Sequence, residues 1–274
     1  MAYLPFLINL FDQVDVLILI MVRVLAFFMF LPVLSGMAIP MQLRLFFAFV
    51  VTIAIFTSGI VTQVTFVDSI GGIFVLILSE FMAGAFMGFV LFFTFNVFLF
   101  AGHFMDFSMG FAMVNVIDPI QQIQVPIIGN IMFMTMSALL IATGGLHHFI
   151  AMFFHSYSLV PMGAAYILGN APLTFYLVTV LVGFTILAVR IALPIIGTMF
   201  IIDVCLGIMV KSVPQMNVFV VGMPLKVLVG VILVYLVMVP NFGFIFDGVF
   251  DSAFYSLLEV IERMAIGVDY GDGI

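Results

Sequence analysis

Residues 81–119 read FMAGAFMGFVLFFTFNVFLFAGHFMDFSMGFAMVNVIDP. Residues 81 to 102 contain no Asp, Glu, Lys or Arg, and about 20 such residues cross a hydrocarbon core of about 30 Å at 1.5 Å per residue. The first part therefore reads as a transmembrane helix. Residues 102–119 are harder to place. His103, Asp106, Asn115 and Asp118 make the stretch too polar for the centre of a bilayer, while its Met and Phe content is too high for a water-exposed loop. By its residues alone it is a re-entrant segment, which is tolerated only where it is buried or lines a cavity.

Uncharged runs of similar length recur at 24–43, 45–67 and 227–246, and Pro119 to Val189 carries no Asp, Glu, Lys or Arg at all. That long run must hold at least two spans, with natural breaks at Gly144-Gly145-Leu146-His147-His148 and Gly169-Asn170-Ala171-Pro172. Six helical spans are expected near 14–31, 44–62, 74–101, 126–144, 173–202 and 218–240. Strict period-two alternation is absent, which argues against a β-barrel. Composition agrees. The 274 residues are 66% hydrophobic and 7% charged, with mean hydropathy +1.45, and a soluble domain so composed would have a surface that is one apolar patch. The expected fold is an all-α integral membrane protein with broken helices.

The N-terminal MAYLPFLINLFDQVDV has Asp12 and Asp15 but no basic residue and no small-x-small cleavage pattern, so it reads as a retained first span. The single Cys205 gives neither an intrachain disulfide nor a metal spacing. Net charge is −7, which leaves no basic patch for nucleic acid. HExxH, Gly-x-Ser-x-Gly and Gly-rich phosphate-loop patterns are missing, so no catalytic residue, cofactor site or metal site is assigned. Methionine is abundant at 21 copies. In MFMTM, however, Met134 points away from Met132 and Met136 on a helix, which favours adaptable packing over a copper path.

Charges within the spans stand out. Arg23 lies in VLILIMVRVLAFFMF, Glu80 in ILSEFMAGAFMG and Arg190 in LVGFTILAVRIALPIIG. Each would cost at least about 2.5–3.5 kcal/mol facing lipid at the midplane, so each should face protein or water. A proton relay is one reading. An interhelical ion pair, or a side chain snorkelling to the interface, is the preferred one. Arg23 should find a buried polar partner, with Glu80 the first candidate. In VPQMNVFVVGMPLKV, the Gly222 and Pro224 breaks should set Asn217 and Lys226 at a subunit contact, helix capping being the plain alternative. Beyond residue 247 the tail is acidic and amphipathic. Phe250, Ala253, Phe254, Leu257, Leu258, Ile261 and Met264 form an apolar stripe that should dock on protein.

In order along the chain, RVLAFFMFLPVLSGMAIPMQLRLFFA (23–48), EFMAGAFMGFV (80–90), the Asp-Pro-terminated segment 102–119 with QVPIIGN (124–130), and VPQMNVFVVGMPLK (213–226) closely resemble the FliR/SctT family of type III secretion export-gate membrane proteins. The likeness spans about residues 14–240 and leans to the flagellar branch, with the virulence SctT branch as the alternative. It implies a single copy in an export gate with several copies of FliP and FliQ, in a helical pore-containing assembly. FlhB would wrap the entrance, FlhA would supply the cytoplasmic ring, and unfolded flagellar subunits would pass through the centre. The chain itself would resemble a FliP–FliQ fusion, FliP-like over about 1–170 and FliQ-like over about 171–246, followed by the tail 247–274, whose partner would be FlhB. Localisation would be the inner membrane at the flagellar basal body.

The resemblance also gives 102–119 a solvent, a closed protein-lined pore. Met105, Met109 and Met113 would line it at i, i+4, i+8, and Gly110, Phe111, Ala112, Met113, Val114 and Asn115 would form a plug that excludes ions. Two rival classes fit less well. A secondary transporter should show an internal repeat with matching breaks in its two halves, and none is seen. A small-ion channel needs rings of like residues from identical subunits, which a single copy excludes.

Overall fold

In the computed structural model the described residues are 14–31, 40–61, 70–111, 126–163, 171–212 and 218–266. Among them lie seven α-helices: α1 (Val14–Phe30), α2 (Met41–Ser58), α3 (Ile70–Met109), α4 (Ile127–Ala142), α5 (Gly145–Leu159), α6 (Ala171–Ser212) and α7 (Val218–Ile266). The expected all-helical membrane fold is what the chain adopts. Four helices (α2, α3, α6 and α7) are long and apolar enough to cross a membrane, or five spans if α4 and α5 count as one broken span. The N-terminal stretch read as the beginning of a first span lies partly outside the described residues, which start at Val14.

The break expected at the double glycine is present, the helix that follows it (α5) is not among the six expected spans, and the limits of three other spans need correction. Gly144, at φ +73°, turns the chain between α4 and α5 by 71°, so the double glycine is a bend followed by a new helix. The helix expected to stop near 101 runs on to Met109, ending where Gly110 takes φ +88°. Both C-terminal helices overrun their expected limits, α6 through Pro194 and Asp203, α7 through Pro224 and Pro240. An interior proline removes one backbone hydrogen bond and kinks a helix, and in so apolar a run the remaining backbone bonds still favour helix.

The helices divide into two compact units. The first draws on α1, α2, the α3 residues up to Phe93, α5, the α6 residues up to Leu181 and the α7 residues from Ser252. Its core is set by a small-residue stripe. Gly84 and Gly88 follow Glu80 at i+4 and i+8, so all three share one face of α3. A Cβ on Gly84 would strike the Arg23 carbonyl oxygen, and one on Gly88 would come within 2.8 Å of the Phe27 carbonyl oxygen. Backbones of α1 and α3 therefore touch, which is how helices pack where lipid supplies no hydrophobic drive. Phe27 also stacks on Phe153 of α5, with centroids 4.4 Å apart.

The end of α7 packs in this same unit. Ala253, Leu257, Val260, Ile261 and Met264 are buried by the chain itself, and Arg263 lies 4.5 Å over the Tyr176 ring of α6 while pairing with Glu259. The amphipathic helix expected from the sequence is present, and Ala253, Leu257, Ile261 and Met264 of its stripe are covered by its own chain. Periodicity reports that a face is covered and is silent about what covers it. The stripe is also rotated, since Phe250, Phe254 and Leu258 are only half-buried.

The second unit holds the end of α3 from Thr94, α4, the α6 residues from Val182 and the α7 residues up to Asp251. Phe98 of α3 meets Phe242 of α7 at 5.2 Å, and Phe95 meets Phe133 of α4 at 6.4 Å.

Candidate functional site

Two polar constellations interrupt the apolar packing, one in each unit. In the first, α1 places Arg23 where the backbone contact at Gly84 aims its side chain one turn along α3 to Glu80. The Arg23 Nε donates to one Glu80 oxygen at 2.6 Å and its terminal nitrogen to the other at 3.1 Å, with both side chains 0% exposed. The guanidinium also donates to the Val160 carbonyl at 3.3 and 3.4 Å. Glu80 accepts a further bond from the Gly163 amide at 3.0 Å. Tyr157 covers the guanidinium face at 4.3 Å and gives its hydroxyl to the Ile20 carbonyl at 3.3 Å.

The forked geometry is the one that makes a buried pair tolerable, because every charge is met by a directed hydrogen bond. Glu80 shares its two oxygens among three donors and has no contact with solvent. That is a tie between α1, α3 and the end of α5, and it is poorly suited to passing protons. Residues such as Tyr157, Val160 and Gly163 were invisible to sequence reading, since a ring, a carbonyl and an amide carry no pattern.

The second constellation surrounds the start of the expected pore segment. Gly102 and Asp106 lie at i, i+4 on α3 and face the first turn of α4. A Cβ on Gly102 would collide with the Gly129 backbone, so the two helices cross there at closest range. The residue before α4 is Pro126, which offers no side-chain cap. Asp106, buried, fills that role from another helix and accepts the Ile128 amide at 3.1 and 3.3 Å. Asp106 was noticed in the sequence only as an oddity. Its partner, a helix start 22 residues away, has no local signal.

The residues expected along the pore fall on both faces of this helix end. Met105 and Met109 are fully buried, with Met109 lying where a Cβ on Gly230 would meet its sulfur at 2.7 Å and Met199 close behind. These methionines pack inside the single chain. The outward face of the same turns carries His103, Phe104 and Phe107, the last 78% exposed. Gly110 closes α3, its amide bonded to the Phe107 carbonyl at 3.1 Å, and Phe111 is half-buried. Ala112, Met113, Val114 and Asn115, the rest of the expected plug, lie outside the described residues, as does Asn217.

Lys226, expected at a subunit contact, pairs within the chain to Asp203 of α6 at 2.6 Å, with the Asp203 side chain 51% exposed. Arg190 differs from all of these. It is exposed on α6, and among the described residues nothing pairs with it.

Comparison with known proteins fits this architecture. The description "Bacterial export proteins, family 1" matches residues 14–253. The flagellar biosynthetic protein FliR of Bacillus subtilis (strain 168) is 28% identical over 232 residues, covering 84% of this chain and 88% of that protein. FliR of Escherichia coli (strain K12) is 26% identical over 246 residues, 90% and 92% of the two chains. The surface presentation of antigens protein SpaR of Shigella flexneri is 24% identical over 217 residues, 78% and 81%. With the match running through all seven helices, the chain belongs to family 1 of the bacterial export proteins.

Proposed function

We propose that the chain is one subunit of the protein-conducting gate of a flagellar type III export apparatus in the bacterial inner membrane. Membership of the export family and likeness to flagellar proteins over most of both chains support a multi-pass inner-membrane component of this system. The virulence-type relative is the more distant one at 24%, so the SctT-like alternative ranks second. A family of export-apparatus membrane proteins suggests a conduit, not a catalyst.

The observation that carries the reading is helix length. α3, α6 and α7 have 40, 42 and 49 residues, each about twice or more the 20 or so residues that cross a hydrocarbon core. Exposed apolar side chains nevertheless run nearly the full length of α6, from Phe175 to Ile208. Where no lipid reaches them, neighbouring subunits must, as in a helical assembly of this chain with FliP and FliQ, bounded by FlhB and FlhA. In that assembly the first 170 residues or so play the FliP-like part, 171–246 the FliQ-like part, and the helix beyond 247 closes back on its own chain.

Within the gate, Gly110 to Asn115 is the plug. A conduit wide enough for an unfolded chain passes ions unless an apolar constriction excludes water. Asp106 and the Gly102–Gly129 crossing hold the helices on either side of this stretch together. Deleting 110–115 should leave the complex with FliP and FliQ intact while making cells leak small ions. An assembled deletion variant with wild-type ion permeability rules the plug out.

A further inference from the structure

We infer that Arg190 is the charged anchor of a subunit interface along the outward face of α6, and that its occupant is a helix of a neighbouring gate subunit bearing an Asp or Glu within an apolar run. This rests on the gate reading above and adds a residue and a recognition chemistry to it. Arg190 stands midway along α6, exposed, with no partner for its guanidinium among the described residues. Ile186 and Leu193 flank it on the same outward face. Gly183 and Gly197, one heptad to either side, are exposed, and a Cβ at either would meet nothing within 4 Å. The face therefore presents a cation between two shallow notches, the shape a second helix can approach closely.

Lipid alone does not satisfy this face. Within the second unit, exposed apolar residues extend from Val182, 46% exposed, to Ile208, 61% exposed, a row of about 40 Å at 1.5 Å per residue. A hydrocarbon slab of about 30 Å that begins at Val182 holds an unpaired guanidinium near its midplane and still leaves Val204 and Ile208 bare. One that ends at Ile208 puts Arg190 near the headgroups and leaves Val182 and Ile186 bare. Every placement requires protein along the row, and protein that excludes water around Arg190 must supply an anion. A carboxylate matches the guanidinium fork with two parallel hydrogen bonds, which a lone backbone carbonyl does not.

The test is co-expression of the chain with the FliP and FliQ subunits and recovery of the complex from detergent-solubilised membranes. Arg190→Glu should lower recovery about tenfold or more and Arg190→Gln by less, while neither shifts the melting of the isolated chain, because no described residue pairs with the Arg190 guanidinium. A photo-crosslinker at Leu193 should capture a subunit helix, and exchanging that helix's carboxylate for Arg should restore assembly with Arg190→Glu. Wild-type recovery of the Arg190→Glu complex, or crosslinks from Leu193 to lipid alone, overturns the anchor and leaves the gate reading standing. If the wild-type chain itself fails to co-purify with those subunits, the gate reading falls and takes the anchor with it.

Discussion

Arg23 and Arg190 look alike in the sequence. Each is one guanidinium in an apolar helix, each forbidden to face lipid at the midplane. The fold treats them in opposite ways. Arg23 is sealed at 0% exposure by Glu80, the Val160 carbonyl and the Tyr157 ring, whereas Arg190 stands exposed without a partner among the described residues. The chain completes one charge by itself and, on the inference drawn for α6, leaves the other to an assembly. A buried ion pair marks what folding must finish, and an unmatched cation marks what binding must finish.

The strongest way to break that contrast is at Arg23. Arg23→Ala leaves the Glu80 carboxylate buried and uncompensated, and should cost about 3–5 kcal/mol. The expected result is loss of the folded chain from the membrane fraction and a steep drop in melting temperature after solubilisation. Arg23→Lys keeps the charge but not the fork, so an intermediate loss is expected. Gly84→Val is next. It drives a side chain into the Arg23 carbonyl and should destabilise by about 1–3 kcal/mol through overpacking, read as a lower melting temperature with the charge pair chemically unchanged.

Asp106 sharpens the comparison from the second unit, where a carboxylate caps a helix start in place of meeting a cation. Asp106→Ala leaves the first amides of α4 without their acceptor and should cost about 1–3 kcal/mol. Asp106→Asn keeps an oxygen for the Ile128 amide and should retain most of that. Faster hydrogen exchange at Ile128 in the Ala variant, and not in the Asn variant, is the expected signature. Lys226→Ala, which breaks a pair with a half-exposed Asp203, should stay within about 1 kcal/mol. A larger loss would mean that this pair is part of the core.

These same residues separate what the sequence displays from what it hides. Uncharged runs display helices, because a bilayer or a subunit core imposes length and apolarity residue by residue. Six spans are read that way, and four helices are long and apolar enough to cross a membrane, or five spans with the bent pair. Glu80 stands out as the first candidate partner for Arg23 because both charges lie within such spans. Hidden are the features that depend on a distant partner. The 102–109 turns read as part of a re-entrant segment because His103 and Asp106 are too polar for a bilayer centre, and the helix shows its reason only when α4 is brought against Gly102 and Asp106. Met105 and Met109 are given a pore role by the family resemblance, and their helical spacing shows a stripe without showing that it is buried within the single chain. Pro240 reads as a helix end, yet α7 continues to Ile266, where Ala253, Leu257 and Ile261 gain enough burial to hold the extension.

The most direct measurement compares melting temperatures of Arg23→Gln and Arg190→Gln, each as the isolated chain in detergent and each in the complex with its gate partners. Arg23→Gln should melt well below wild type in both settings. Arg190→Gln should match wild type when isolated and fall below it only in the complex. If Arg190→Gln destabilises the isolated chain as much as Arg23→Gln does, Arg190 has an internal partner, and the division between charges completed by folding and charges completed by assembly is contradicted.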